Sequence, residues 1–138
     1  MNTLNIFPEL LTFYLLAPFL LRVASGAIFV YFGYTKIFRE RARRIAFLQK
    51  IVFGGGGGAA MFWIISLAEL IGGALLVAGL YTQFAALALA VITLGALAVK
   101  LWKPKLLDNS VEFYVLLLAV LISLLFLGAG FWALDLPL

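Results

Sequence analysis

The sequence predicts an all-α, polytopic membrane protein: a four-helix bundle with a basic amphipathic interfacial helix between its first and second spans. Hydrophobic residues make up 66% of the 138 residues and charged residues only 12%, whereas soluble domains average about half and about a quarter. The apolar residues form long blocks with almost no charge, as bilayer-spanning helices require. All Lys and Arg residues except Arg22 lie at or between the ends of these blocks. We expect one domain over residues 1–138.

The first span is predicted over residues 18–38, after a short interfacial piece over residues 7–16. Pro18 lies inside the first apolar run. Proline removes a backbone donor and clashes with the preceding turn, so it either begins or kinks a helix. We favour a helix that begins at Pro18.

Residues 39–53 are predicted to form the basic amphipathic helix, since apolar and basic side chains fall on different helical faces. Five glycines follow, over residues 54–58. Such a run is flexible and disfavours a helix. It is either a plain linker or a place where the backbone approaches a ligand closely.

The second, third and fourth spans are predicted over residues 60–80, 84–102 and 111–132. Residues 81–83 make a hairpin-length connection, and Ser110 is a candidate N-cap for the last helix. With four spans, the first and third loops lie on one side of the membrane and carry the basic residues. The positive-inside rule places those loops in the cytoplasm and both termini outside, in the cell (inner) membrane.

Small residues recur at helical spacing within the spans. Helices in lipid associate through close contacts between such residues. We therefore expect helix packing at four glycines: Gly26, Gly33, Gly72 and Gly73.

Charged side chains within spanning segments are costly, and by default they indicate function. Two stand out, Arg22 in the first span and Glu69 in the second. A comparison of their depths leaves a gap of about 9 Å along the membrane normal, which helix tilt or a long side chain can close. We expect the two to interact, either as an ion pair that fixes helix register or as part of a ligand or proton-relay site.

Three further charges are weaker candidates for such a site. Lys36, at the inner end of the first span, either snorkels to the interface or faces the site. Glu112 begins the fourth span, where a helix N-terminus favours an anion. Asp135 follows the fourth span and is either solvated or part of the site.

Composition restricts the chemistry. The sequence has no Cys and no His, so we expect no metal site, no intrinsic cofactor and no thiol redox chemistry. The net charge of +4 is concentrated between apolar blocks, which favours lipid headgroups over nucleic acid as its partner.

Three groups of residues resemble the DoxX family. Arg22 with the later Gly33-Tyr34-Thr35-Lys36 resembles the Arg…Gly-x-x-Lys first helix, and the run from Glu69 to Gly73 resembles the Glu-x-x-Gly-Gly block of the second. Glu112 and residues 128–135 resemble the last helix, with its Gly-Pro-Gly…Ser-Leu-Asp ending. Ala129 stands where the family often has Pro, and Ala133 where it often has Ser.

The resemblance implies a four-helix inner-membrane protein. Some relatives are named as the membrane subunit of a thiosulfate:quinone oxidoreductase, and others are linked to redox membrane complexes. We therefore expect an integral membrane subunit of a redox complex, with a partner subunit or a second copy, that binds a quinone or similar lipophilic ligand between its helices. A non-enzymatic scaffold or assembly protein and a small transporter subunit are the alternatives.

Overall fold

The computed structural model describes residues 8–52 and 56–135, and over these ranges the chain is helical with no strand. The predicted all-α class is confirmed. A 3₁₀ helix, Pro8–Phe13, precedes the first α-helix, in place of the predicted interfacial piece, and another, Pro104–Leu106, precedes the last. The α-helices are α1 (Leu16–Phe38), α2 (Arg41–Ile51), α3 (Gly57–Ala78), α4 (Thr82–Trp102) and α5 (Val111–Leu127).

Three of these helices, α1, α3 and α4, are long and apolar enough to cross a membrane. The fourth apolar helix, α5, has 17 residues, which is at the short limit for a span. Large apolar side chains point away from the bundle on all four, including Ile64, Phe84, Val91 and Phe126. In lipid such a surface contacts acyl chains rather than water, as expected for the outside of a membrane bundle.

Glycines let α1 and α3 pack at backbone distance. A Cβ added at Gly26 would lie 2.8 Å from the carbonyl oxygen of Gly73, and one added at Gly33 would lie 2.8 Å from the backbone nitrogen of Leu70. Gly72 faces the other way, where Leu89 of α4 occupies the space a side chain would need. These glycines therefore lie where α3 meets α1 and α4.

The buried core continues from this contact toward α4 and α5. Its members are apolar side chains at helical spacing, with Leu76, Ala86, Leu89, Leu121 and Leu124 fully buried. The turn between α3 and α4 is tight, because Gly79 ends α3 in the left-handed conformation at φ 69°. Ser110 accepts a hydrogen bond from the Phe113 amide, which confirms it as the N-cap of α5.

The first helix does not begin at Pro18 as predicted but two residues earlier, at Leu16, and Pro18 lies in its first turn, where no backbone hydrogen bond is lost. Two other predicted boundaries differ from the structure by three residues or more. The second span begins earlier than predicted, because Gly57 and Gly58 join the first turn of α3. Gly58 is buried there, since an added Cβ would lie 2.5 Å from the backbone nitrogen of Gln49 in α2. Close packing between helices therefore accounts for part of the glycine run, while Gly54 and Gly55 lie outside the described residues.

The fourth span ends at Leu127, five residues before its predicted end. Gly128 and Gly130 both have positive φ, which breaks the helix. The chain then folds back against the first turns of α1, where the Phe131 amide donates to the Leu15 carbonyl. We call residues 128–135 the terminal segment.

The basic helix α2 forms close to its predicted range, although Phe53 lies outside the described residues. It packs against the first turns of α3, with the Arg41 guanidinium 5.0 Å from the ring centre of Trp63. Since Gly33 lies opposite Leu70, the first turns of α3 project beyond the end of α1 by about 12 Å. That offset in register makes room for α2.

Candidate functional site

An ion pair between Lys36 and Glu69 lies between α1 and α3. The Lys36 ammonium donates to both carboxylate oxygens, at 2.7 and 2.6 Å. The Glu69 side chain is 5% exposed and that of Lys36 is 19% exposed. A carboxylate this buried requires a cationic partner, because removing both charges from water is costly unless they compensate each other.

Local packing places the pair. The close approach of Gly33 to Leu70 fixes the register of α1 against α3. Lys36 is one turn after Gly33 on the same face of α1, and Glu69 is next to Leu70 on α3. A side chain at residue 33 would separate the helices and lengthen this contact.

The ion pair faces a cavity of about 240 Å³ that α1, α3, α4 and α5 enclose. Its walls are mainly apolar and aromatic, and include Phe29, Phe32, Ile92 and Leu117. Three hydroxyl-bearing residues also line it: Thr35, Thr93 and Tyr114. Apolar walls with a few fixed polar groups are typical of sites for small organic ligands.

Charged residues surround the mouth of the cavity, at the end of the bundle where α2 and the α4–α5 loop meet. Arg43 is 3.2 Å from both Glu40 and Asp108, so it links α2 to that loop. The Arg44 Nε donates to Glu40 at 2.8 Å. Burial alone would raise the pKa of Glu40, but its hydrogen bonds and ion pairs with Arg44 and Arg43 bring that pKa below its ordinary value.

Arg22 does not interact with Glu69, so that predicted contact is wrong. It lies on α1 about 21 Å from Lys36, at the opposite end of the bundle. Its guanidinium, fully buried, donates to the carbonyl oxygens of Ala129, Phe131 and Trp132 in the terminal segment. Arg22 therefore holds the terminal segment against the ends of α1 and α3.

Asp135 belongs to this same end and is not simply solvated. Its carboxylate accepts from the backbone amides of Tyr81 at 2.5 Å and Thr82 at 2.8 Å. These amides begin α4, where an anion is favoured by the unpaired N–H groups and the helix dipole. Burial alone would raise the pKa of Asp135, but the hydrogen bonds from Thr82 and Tyr81, with the charge of Arg22, lower it.

The five charged residues predicted as site candidates thus form one pair at each end of the bundle, and the fifth belongs to neither pair. Lys36 and Glu69 share the cavity, Arg22 and Asp135 share the far end, and Glu112 is exposed on the first turn of α5 without lining the cavity. Their roles as ligand or proton-relay residues stay predictions. Lys36 does not simply snorkel, because its ammonium is held by Glu69.

Sequence reasoning missed Thr93, Tyr114 and Arg44 as cavity residues. Thr93 had a signal, since it is the one polar residue between residues 84 and 99. Its hydroxyl donates to the Leu89 carbonyl at 2.7 Å and keeps lone pairs free to accept. Tyr114 and Arg44 had no comparable signal, because a Tyr or Arg near an interface is common.

Over residues 8–52 and 56–135, no three acidic side chains come together as a metal site would require. The cavity brings together an ammonium, a carboxylate and hydroxyls among aromatic side chains. An ammonium can donate to a ligand oxygen and a carboxylate can take up or release a proton.

Comparisons with known proteins agree with the resemblance seen in the sequence. The family model described as DoxX matches residues 17–102, which include both members of the ion pair. A Bacillus subtilis (strain 168) protein described as "Putative oxidoreductase CatD" is 36% identical over 116 residues, covering 84% of this chain and 82% of that protein. No solved structure matches the chain. The chain belongs to the DoxX family, a family of membrane proteins.

Proposed function

We propose that this chain is the membrane subunit of a redox complex and binds a quinone, or a similar lipophilic ring compound, in the cavity beside Lys36 and Glu69. The observation that carries the proposal is the buried ion pair opening onto aromatic walls. The relative described as "Putative oxidoreductase CatD" supports the redox part. A volume of about 240 Å³ is suited to a single ring headgroup rather than a whole tailed molecule.

The residues present fit such a ring. Phe29 and Phe32 supply flat apolar surface, and their rings meet edge to face at 6.4 Å. Lys36 Nζ has three hydrogens, so it can donate to a ring oxygen while it still contacts Glu69. Tyr114, on the α5 side, offers a second donor. Two donors from different helices would fix the orientation of a ring that carries two oxygens.

A bound quinone would supply the capacity to take up electrons together with protons. In this proposal the Lys36 ammonium would stabilise the negative charge that develops on the ring oxygen, and the Glu69 carboxylate would take up a proton and pass it to that oxygen. Water at the mouth of the cavity, where Glu40 and Asp108 form part of the wall, would restore the proton to Glu69.

Because the sequence has neither Cys nor His, we assign the supply of electrons to a partner subunit. The exposed basic side chains of α2, Arg41 and Arg43 among them, lie next to the mouth of the cavity. They form a surface that would attract an acidic partner or anionic lipid headgroups.

The orientation we propose places this basic end in the cytoplasm, in the cell (inner) membrane. Every basic residue other than Arg22 lies at the end of the bundle that includes α2 and the α4–α5 loop. Under the positive-inside rule the cavity then opens toward the cytoplasm. The terminal segment lies on the outer side.

Quinone titration of the purified protein in detergent tests the proposal, with a decyl-tailed benzoquinone and a prenyl-tailed naphthoquinone as probes. We expect saturable binding of at least one probe. Tyr114→Phe should weaken it several-fold and Glu69→Gln by about tenfold or more, a loss of about 1.4 kcal/mol or more. Glu112→Gln is the matched control, because it makes the same change on an exposed residue outside the cavity.

Helix content and elution volume of each variant must match the wild type, so that lost binding is not lost folding. Two results would overturn the proposal. One is the absence of saturable binding of both probes to the wild type. The other is binding that Glu69→Gln and Tyr114→Phe leave as strong as Glu112→Gln does.

A further inference from the structure

A second depression lies beside the cavity, on the outward surface between α1 and the start of α5. It has a volume of about 350 Å³, and six residues line it: Ala27, Ile28, Tyr31, Phe32, Asn109 and Phe113. We call it the α1–α5 groove. The exposed Ala27 is small, so it leaves a hollow in a surface otherwise built of large side chains.

The groove adjoins the cavity. Tyr31, Phe32 and Asn109 line both spaces. The Phe32 ring lies between them and meets the Phe113 ring at 5.8 Å, edge to face. Two aromatic rings in contact, with no hydrogen bond between them, can separate by side-chain rotation without leaving a polar group unpaired.

The path from the cavity into the groove runs from polar to apolar surroundings. From Thr35 in the cavity to Ala27 the path follows α1 for about 12 Å toward the middle of the bundle. The charged groups are all at the cavity end, whereas the far end of the groove is apolar. A molecule that occupied both would have a polar head at the interface and an apolar tail toward the bilayer centre.

We infer that the α1–α5 groove holds the apolar tail of the ligand whose ring occupies the cavity, and that the ligand enters sideways from the bilayer past Phe32 and Phe113. This inference rests on the proposed function. It narrows the ligand class to ring compounds with a long apolar tail. The groove is an exit for the tail rather than a source of affinity, because lipid and groove are about equally apolar.

Filling the groove tests this inference. Ala27→Phe blocks the hollow, and Ala24→Phe is the matched control, an exposed alanine one turn earlier on α1 that does not line the groove. Each is titrated with a decyl-tailed quinone and with the same ring without a tail. Comparing variants within one probe cancels the partitioning of that probe into detergent.

We expect Ala27→Phe to weaken the tailed probe by about tenfold and to leave the tail-free probe within about twofold. Ala24→Phe should change neither. If Ala27→Phe leaves the tailed probe unchanged, the groove holds ordinary lipid and the inference is wrong. If both probes weaken equally, the substitution acts on the cavity and the tail is not in the groove.

A tail-labelled photoreactive quinone on the wild-type protein decides the case without any substitution. We expect cross-links at Ala27, Ile28 or Phe113, and cross-links confined to other helices would overturn the inference. Failure of the proposed function is distinguishable, because then the tail-free probe shows no saturable binding to the wild type either.

Discussion

Removing the Lys36 ammonium should cost more stability than removing the Glu69 charge. In Lys36→Met the Glu69 carboxylate, 5% exposed, loses the cation that compensates its charge, so it must either stay charged without a partner or take up a proton. Breaking a buried pair in this way costs about 3–5 kcal/mol. We expect the lower part of that range, about 3 kcal/mol, because the Lys36 side chain is 19% exposed and water at the cavity mouth partly replaces it.

Glu69→Gln leaves a cation instead, and the long Lys36 side chain can turn toward the water and headgroups at the mouth. We expect a cost of about 1 kcal/mol. The double variant Lys36→Met/Glu69→Gln removes both charges and should recover most of the loss seen in Lys36→Met, since a neutral pair is often nearly as stable as the buried ion pair.

Equilibrium unfolding in mixed micelles, followed by circular dichroism, measures these free energies. Lys50→Met, which removes an exposed lysine of α2, is the control and should stay within about 0.5 kcal/mol of the wild type. The reasoning is refuted if Lys36→Met costs no more than Glu69→Gln. It is also refuted if the double variant is as unstable as Lys36→Met.

Three further predictions concern packing and the far end of the bundle. Gly73→Ala should destabilise the protein by about 1–3 kcal/mol, because its Cβ would lie 2.7 Å from the Gly26 carbonyl oxygen. Gly95→Ala should be neutral or stabilising in the same unfolding titration, because no atom lies within 4 Å of a Cβ added there. Asp135→Asn should cost about 1 kcal/mol, since it removes an anionic cap from α4. Folding lowers the pKa of Asp135, so its contribution to the free energy of unfolding is fully present above the unfolded-state pKa and is lost as pH falls through the folded-state pKa. Unfolding of the wild type, measured between neutral and acid pH, should show this loss of stability. An equal loss in Asp135→Asn would contradict the prediction.

Hydropathy and small-residue spacing were sufficient to predict the helices, because burial in lipid constrains each apolar block by itself. The N-cap at Ser110 followed from residue type in the same local way. The predicted end of α5 was wrong because residues 128–132 are apolar enough to continue a span. Hydropathy contains no information on backbone conformation, and Gly128 ends the helix with a positive φ.

The partner of Glu69 could not be predicted in this way, because it depends on how α1 and α3 slide past each other. The depth comparison aligned the ends of the two helices. In the structure α3 projects beyond α1, so Glu69 comes level with Lys36 rather than approaching Arg22. The sequence does show a glycine at residue 33, one turn before Lys36. That glycine meets Leu70 only in the folded bundle, so its position in the sequence does not identify Leu70 as its neighbour.

The central claim is that a ring ligand binds beside Lys36 and Glu69 and not at the Arg22 end. Photolabelling with a quinone that carries an azide on its ring, followed by peptide mapping, tests it most directly. We predict labels on residues that line the cavity, such as Phe32 and Tyr114, and their loss when unlabelled quinone is in excess. Labels at Phe19 or Trp132, beside Arg22, with none in the cavity would contradict the account.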